Sequence, residues 1–438
     1  MRRHRITPRR ILVTAVTALA SALVPLQLEH ATATSSRPVT AWATRRADPL
    51  ATVDPDAPLD DLAPLRRSVA DAPIVGLGES IHGAAEELLL KHRVLRFMVE
   101  EMGFRTVAWE EDWTTGREIN AYISGASDDL DDVVPEMSPQ WRWREVIDVL
   151  EWLREFNTGR DDKVRFVGVE HYFTRRLAYD EIADYVARTA PEHLGEVTQH
   201  LSVIEPSTDD EFEHIRWYSG RGDKERFIGH ARALHELIAG LPHGCGDEEH
   251  AIVQHHARQI VSFYEHYALP FDDQHAFRDA QAAENVRWWH ELTGDRIVYW
   301  AASAHTADVS DLRIVQPDGD MRFPTAGSHL RGWYGTDYVS IGVTFDHGVV
   351  SPGPDATADM PPPATGWFER PLGDVPLDQF LLDLRGRAPR PVRAWLERPL
   401  VTRGLADSGP DGSITGGTLA EAFDVVIHRQ RVTPAKPA

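Results

Sequence analysis

The chain has 438 residues, 42% hydrophobic and 26% charged, proportions that suit a soluble globular protein with one large core. Its 46 Lys and Arg against 68 Asp and Glu give a formal net charge of −22, so no nucleic acid and no anionic membrane is expected as a partner. A single cysteine, Cys245, excludes an internal disulfide.

The amino terminus carries Arg2, Arg3, Arg5, Arg9 and Arg10, then an apolar run over 11–26 and the small-x-small site Ala31-Thr32-Ala33. This predicts a signal peptide over 1–33, removed on export, and a secreted or extracytoplasmic mature chain. The Arg9-Arg10 pair also permits twin-arginine export. Residues 34–60, rich in Thr, Ala, Pro and Asp, read as a linker. Ile74-Val75-Gly76-Leu77-Gly78 then suits a buried parallel strand. The spacing of Leu88, Leu95, Met98, Val99 and Met102 predicts a helix over 84–102, stopped by Gly103. A second strand follows at Thr106-Val107-Ala108-Trp109, a helix over 143–156, and a third strand over 164–169.

Residues 175–292 are His- and Glu-rich, with helical periodicity and no convincing strand, which predicts a helical insertion over the sheet. Strand patterns return at 296–300 and 338–345; 351–365 reads as a Pro-rich loop and 433–438 as a tail. The rhythm predicts an α/β fold with a central, mostly parallel sheet flanked by helices, the insertion lying over the active-site edge.

Parallel sheets bind ligands beyond the carboxyl ends of their strands. There the predicted strands release Glu79-Ser80-Ile81-His82-Gly83, then Glu110-Glu111-Asp112, Glu170-His171 and His305-Thr306-Ala307-Asp308. Neighbouring strands lie ~4.8 Å apart, so Glu79, His82 and Glu110 can come within hydrogen-bonding reach. An imidazole can take a proton from water, and a carboxylate on its other nitrogen fixes the tautomer. The chain has no G-x-S-x-G elbow, so water is expected to attack directly. It has no H-E-x-x-H and no Cys pair to mark a zinc site, so the first expectation is no metal and no cofactor, with metal dependence left as an open alternative. Arg278, Asp279 and Glu284 read as an ion-pair network bracing one helix, His255-His256 as surface residues, and Trp288-Trp289 as core.

The run Gly76-Leu77-Gly78-Glu79-Ser80-Ile81-His82-Gly83, followed by Lys91, Met102-Gly103-Phe104 and Trp109-Glu110, resembles the erythromycin esterase family. The order continues with Glu145 between Trp143 and Asn157, Arg278-Asp279 with Glu284-Asn285, and Trp300-Ala301 leading to His305. Gly327 to Gly348 and Phe423-Asp424 complete it. The resemblance implies one erythromycin esterase-like domain over 61–432, a sheet wrapped by helices with a cleft, and hydrolysis of a lactone ester. It casts His82 as general base, Glu79 and Glu110 as the groups that position it, and His305 as the group that polarises the carbonyl or holds the oxyanion. Lys91 falls where the family carries a basic residue, an anchor for a substrate carboxylate or oxyanion.

One departure stands out. The family pattern Trp-Ala-His-Asn-x-His is here Trp300-Ala301-Ala302-Ser303-Ala304-His305, and Glu170 replaces the usual aspartate. The expectation is an exported, monomeric hydrolase of a bulky apolar ester or macrolactone, acting without a covalent intermediate. Two alternatives stay open. One is a lyase or cyclase that tailors a polyketide-like product on the same scaffold. The other is a binding or immunity protein for a hydrophobic compound.

Overall fold

The computed structural model describes residues 36–438 apart from 129, 209, 245, 317–318 and 406–411. The expected signal peptide therefore lies outside the described residues, as does Cys245.

The strands in chain order are β1 (Asp48–Pro49), β2 (Ile74–Glu79), β3 (Thr106–Asp112), β4 (Arg165–Glu170), β5 (Ile297–Ala302), β6 (Leu312–Val315) and β7 (Met321–Phe323). There follow β8 (Tyr338–Gly353), β9 (Ala356–Met360), β10 (Gln379–Asp383), β11 (Pro399–Arg403), β12 (Ser413–Thr418) and β13 (Val425–Val432). Among the described residues they make a nine-stranded sheet, ordered β1-β10-β13-β8-β2-β5-β3-β4 with β9 beside β8, and a four-stranded sheet β11-β12-β6-β7. Every pairing from β13 across to β4 is parallel. The fold is thus α/β with a mostly parallel central sheet. β2, β3 and β5 are buried along their whole length, which is why they read as unbroken apolar runs rather than alternating ones.

Helices α1 (Arg37–Arg46), α2 (Leu65–Val69), α3 (Ala85–Met102), α4 (Trp113–Ser124) and α5 (Arg144–Asn157) accompany the first strands. Leu88, Leu95 and Met98 of α3 and Leu150 and Leu153 of α5 share one core with Leu77, Trp109 and Trp300 of the sheet. Gly103 ends α3 in the left-handed region, φ 75°, its N–H returning to the Met98 carbonyl. Between β4 and β5 run α6 (Arg176–Thr189), α7 (Leu194–Ile204), α8 (Glu211–Ser219), α9 (Lys224–Ala239), α10 (Glu248–His266) and α11 (Phe271–Thr293). The first five of these enclose a core of their own around Tyr179, Phe227, Leu234 and Tyr264. α11 instead lays Ala282, Val286 and Trp289 on the sheet, against Tyr299 and Ala301. No helix among the described residues is long and apolar enough to cross a membrane.

Three segments differ from expectation. Residues 37–46 are helical rather than a linker, because Val39, Trp42 and Ala43 pack into the core with Phe380 and Trp395. Residues 351–365 are only partly loop, since β8 continues to Gly353 and pairs back with β9. The tail at 433–438 is docked rather than free. The Thr433 carbonyl accepts Ala85 N–H at 2.9 Å and the Lys436 carbonyl accepts Arg144 N–H at 2.7 Å. Those bonds satisfy N–H groups that the starts of α3 and α5 would otherwise leave unpaired.

Candidate active site

β5 lies between β2 and β3, and Glu79 is level with Ala302 across the β2–β5 pair. The carboxyl ends of these strands therefore form one rim. Glu79, the last residue of β2, is fully buried. Its Oε1 lies 2.8 Å from His82 Nδ1, an ion-pair contact too bent for a well-formed hydrogen bond. Its Oε2 meets Lys91 Nζ from α3. Burial opposes a charge on Glu79, but the Lys91 ammonium and the His82 ring together hold its carboxyl below the usual range.

Lys91 is fully buried as well. Its ammonium also donates to the Ala301 carbonyl at 3.2 Å and sits 4.1 Å from the centre of the Trp300 ring. It braces Glu79 from behind, and the expected role as a substrate anchor is corrected on that ground: a residue with no exposed surface cannot meet a substrate.

His82 stands on the turn from β2 into α3. Glu87 shapes that turn by accepting Ser80 Oγ at 2.7 Å, Ser80 N–H at 3.2 Å and Ile81 N–H at 3.3 Å. Gly83 completes it with φ 80°, where a Cβ would strike the Ser351 carbonyl at 2.0 Å. The edge of the Trp141 ring meets the His82 ring at 4.8 Å. Nδ1 is buried while the side chain remains 26% exposed, so solvent reaches the ring on the side away from Glu79.

Glu110 is buried on β3. Its Oε2 accepts Ala302 N–H at 2.8 Å and its Oε1 accepts Arg278 Nη2 at 2.8 Å, with His305 Nε2 3.4 Å away. Burial again opposes the charge, yet His305 and Arg278 pull the Glu110 pKa down to about 2. Arg278 is the hub of the rim. Its Nε and Nη2 grip Glu170 at 3.0 and 2.8 Å, and its Nη1 lies 2.9 Å from His305 Nε2. His305 Nδ1 faces both oxygens of Asp279 at 2.9 and 3.0 Å, and Asp279 also accepts Ala326 N–H. With Arg278 donating to Nε2, the ring proton belongs on Nδ1. Burial and Arg278 lower the proton affinity of His305, but Asp279 and Glu110 outweigh them and raise it.

The expected residues Glu79, His82, Glu110 and His305 thus share one rim, with Lys91 beneath it, but Glu110 grips the Ala302 N–H and Arg278 rather than the His82 ring it was expected to position. Sequence reasoning put Glu170 at a strand end without a role, and it missed that the ion pairs of Arg278 and Asp279 leave their own helix. Arg278 and Asp279, read as a brace within one helix, reach out of α11 to grip the ends of three strands. Only Glu284 stays within the helix, on Arg287 at 2.7 Å. The available signal was an Arg-Asp pair inside an otherwise sheet-facing helix. His171 turns away to His266 at 3.1 Å. His255 and His256, expected at the surface, are buried. His255 stacks on Trp288 at 3.7 Å and His256 accepts from Trp113 Nε1 at 2.9 Å. Among the described residues, no group of three His, Cys, Asp or Glu is arranged to hold a metal ion. Four rim carboxyl groups (Glu79, Glu110, Glu170 and Asp279) face two basic side chains, Lys91, whose proton affinity burial lowers, and Arg278, which its acidic neighbours keep charged. That surplus of negative charge favours an imidazolium formed beside it.

The erythromycin esterase family model matches residues 99–432, a span that includes Glu110, Arg278 and His305 but begins after His82. A curated relative, erythromycin esterase type II of Escherichia coli, is 34% identical over 322 residues, 69% of this chain and 76% of its own length. The putative hydrolase YbfO of Bacillus subtilis (strain 168) is 21% identical over 366 residues, 75% of this chain and 77% of its own. A solved protein from Bacillus cereus superposes with a TM-score of 0.80 at 26% identity, covering 92% of this chain and 99% of that one. The fold is also shared with an erythromycin esterase mutant, EreC in its open conformation, at TM-score 0.67 and 17% identity over 89% and 98% of the two chains.

Proposed function

The chain belongs to the erythromycin esterase family, at whose level it is an esterase-like hydrolase, and we propose that it hydrolyses a bulky apolar ester or macrolactone with His82 as base. The observation that carries this reading is the two-sided environment of His82: one nitrogen lies against a buried carboxylate, while 26% of the side chain stays exposed. With the proton held on Nδ1 beside Glu79, Nε2 takes a proton from water as that water adds to the ester carbonyl. The imidazolium so formed is stabilised by Glu79 and by the surplus carboxylate charge of the rim, then returns the proton to the leaving alkoxide. No covalent bond to the protein forms.

His305 enters as a positioning residue rather than as the group that polarises the carbonyl. Both its nitrogens are engaged, one by Asp279 and one by Arg278, so in this arrangement neither can donate to a substrate. It sets the direction of Arg278 and, through it, of Glu110. Export of the mature chain belongs to the same proposal, motivated by the basic and apolar amino terminus. The mass of protein recovered from the culture medium tests it, since retention of residues 1–33 would refute cleavage.

The test of mechanism is turnover of a panel of macrolides and simpler lactones and esters in oxygen-18 water, followed by mass spectrometry. Label is expected in the acid product; product without label would mean elimination or ring closure instead. His82→Ala should lower turnover by ~10²–10⁴-fold with the circular dichroism spectrum unchanged. Full activity in that variant would remove the base from the proposal.

A further inference from the structure

The ring of His82 needs more than Glu79 to hold it. The 2.8 Å contact from Glu79 Oε1 to Nδ1 lacks hydrogen-bond alignment. A charge contact without that alignment attracts the ring but leaves its plane undetermined. The torsion that turns a histidine ring about its Cβ–Cγ bond has a broad profile. A half-turn about it would bring a carbon against Glu79 in place of Nδ1, and the base would lose its partner. Glu110 does not steady the ring either, being engaged by Ala302 and Arg278.

Trp141 stands where that restraint is needed. Its ring meets the His82 ring edge to face, the centres 4.8 Å apart and the planes at 79°, an arrangement that aromatic pairs favour. Trp141 is held firmly on its own account. It is fully buried, its Nε1 donates to the Glu110 carbonyl at 2.6 Å, and its ring packs at 82° on Trp109, which stacks on Trp300 at 4.3 Å. The turn that carries it, Pro139–Trp141, is tied to β3 as well. Ser138 gives its N–H and its Oγ to Glu111, each at 2.7 Å, and its carbonyl accepts Trp141 N–H at 2.9 Å. Neighbours along a strand point to opposite faces. Glu110 thus serves the Arg278 network and Glu111 the Trp141 turn, so β3 reaches the base through an indole rather than through a carboxylate.

We propose that Trp141 is a positioning residue for the base: it keeps the His82 ring in the one orientation that sets Nδ1 at Glu79 and turns Nε2 to the exposed side. It acts through His82 alone. Its effect on rate rests on the ester-hydrolase reading, whereas its effect on the ring does not.

Two measurements test this, one with substrate and one without. Kinetics use p-nitrophenyl butyrate and the best macrolide or lactone of the oxygen-18 panel. A displacement of about 1 Å can lose ~10²-fold in rate, so Trp141→Leu should lower kcat by that order with KM changed less than twofold. Trp141→Phe, which keeps an aromatic ring at the contact, should lie between Trp141→Leu and the parent. Trp289→Phe is the comparison for plain loss of a buried indole. That side chain donates to Thr106 Oγ1 at 3.0 Å within a separate part of the core, and its variant should keep the parent kcat.

Without substrate, nitrogen-15 spectra at about pH 8, above the ordinary imidazole range, report which ring nitrogen holds the proton. The protein is labelled in its 21 histidines, and the His82 signals are identified by their absence in His82→Asn. The parent should carry the proton on Nδ1, and the two Trp141 variants should show a mixture of both forms. A parent proton on Nε2, unchanged His82 signals in a folded Trp141 variant, or a kcat that falls no more than in Trp289→Phe would overturn the inference. Should Trp141→Leu fail to fold, Trp141→Phe decides by the same two readings. An ester panel that the parent leaves untouched, with His82 signals that Trp141→Phe still shifts, would sink the hydrolase reading and leave Trp141 in its role.

Discussion

Glu87 never meets the water that His82 would activate, yet it decides where that ring stands, because the turn carrying it hangs on one carboxyl group. Burial lifts the Glu87 pKa from 4.5 to about 8, so the folded protein keeps a proton that the unfolded chain has already released. Between those two values the folded state binds more protons, and stability falls as pH rises through that window. Glu111, lifted by burial to about 7, acts in the same direction. Glu110, held at about 2, acts oppositely and loses its contribution as pH falls below 4.5. Glu87→Gln should therefore gain on the parent as pH rises from about 4.5 to about 8 and level off above it, as measured by urea unfolding across that range. A constant offset at every pH would show that the side chain does not titrate in the fold. Arg278 gives a second test. Arg278→Met strands Glu110 and Glu170 in the interior, at a cost of ~3–5 kcal/mol. Adding Glu170→Met should return part of the lost melting temperature, because the pair is coupled.

α3 is held at both ends by features of different visibility. Its stop at Gly103 and its apolar stripe are local and could be read from the sequence. Its start is tied by Thr433, more than three hundred positions away, and no local pattern announces that. Deleting 433–438 removes the carbonyl acceptors at the starts of α3 and α5. At ~1 kcal/mol per hydrogen bond the loss should be about 2–3 kcal/mol, read as a lower melting temperature; an unchanged one would mean that water replaces those bonds without loss. The same contrast separates what the sequence disclosed from what it hid. β2, β3, β4 and β5 were legible because burial on both faces makes each a solid apolar run. The small sheet was not, since β12 is buried on one residue in six along Ser413–Thr418 and nothing in its composition marks a strand. At the site, Glu79, His82, Glu110 and His305 follow strand ends and could be anticipated. Arg278 and Asp279 sit in mid-helix, where adjacent charges usually brace their own element, and only tertiary packing turns them inward.

A formal charge of −22 repels itself across the whole surface, and that repulsion is screened over ~10 Å at 0.1 M salt. The melting temperature should accordingly rise as sodium chloride is raised from low to moderate concentration. A fall would mean that attractive surface ion pairs outweigh the net repulsion. The rim charges are buried and should respond little. Chain order and space also diverge here: β5 sits between β2 and β3, but it is made after both and after the eight helices α4 to α11. On a ribosome, the histidine at 82 and the glutamate at 110 emerge early, on strands that share no neighbour until this late wedge slides between them. A nascent chain arrested before residue 297 carries the proposed base but lacks the strand that joins it to Glu110, and is expected to be inactive.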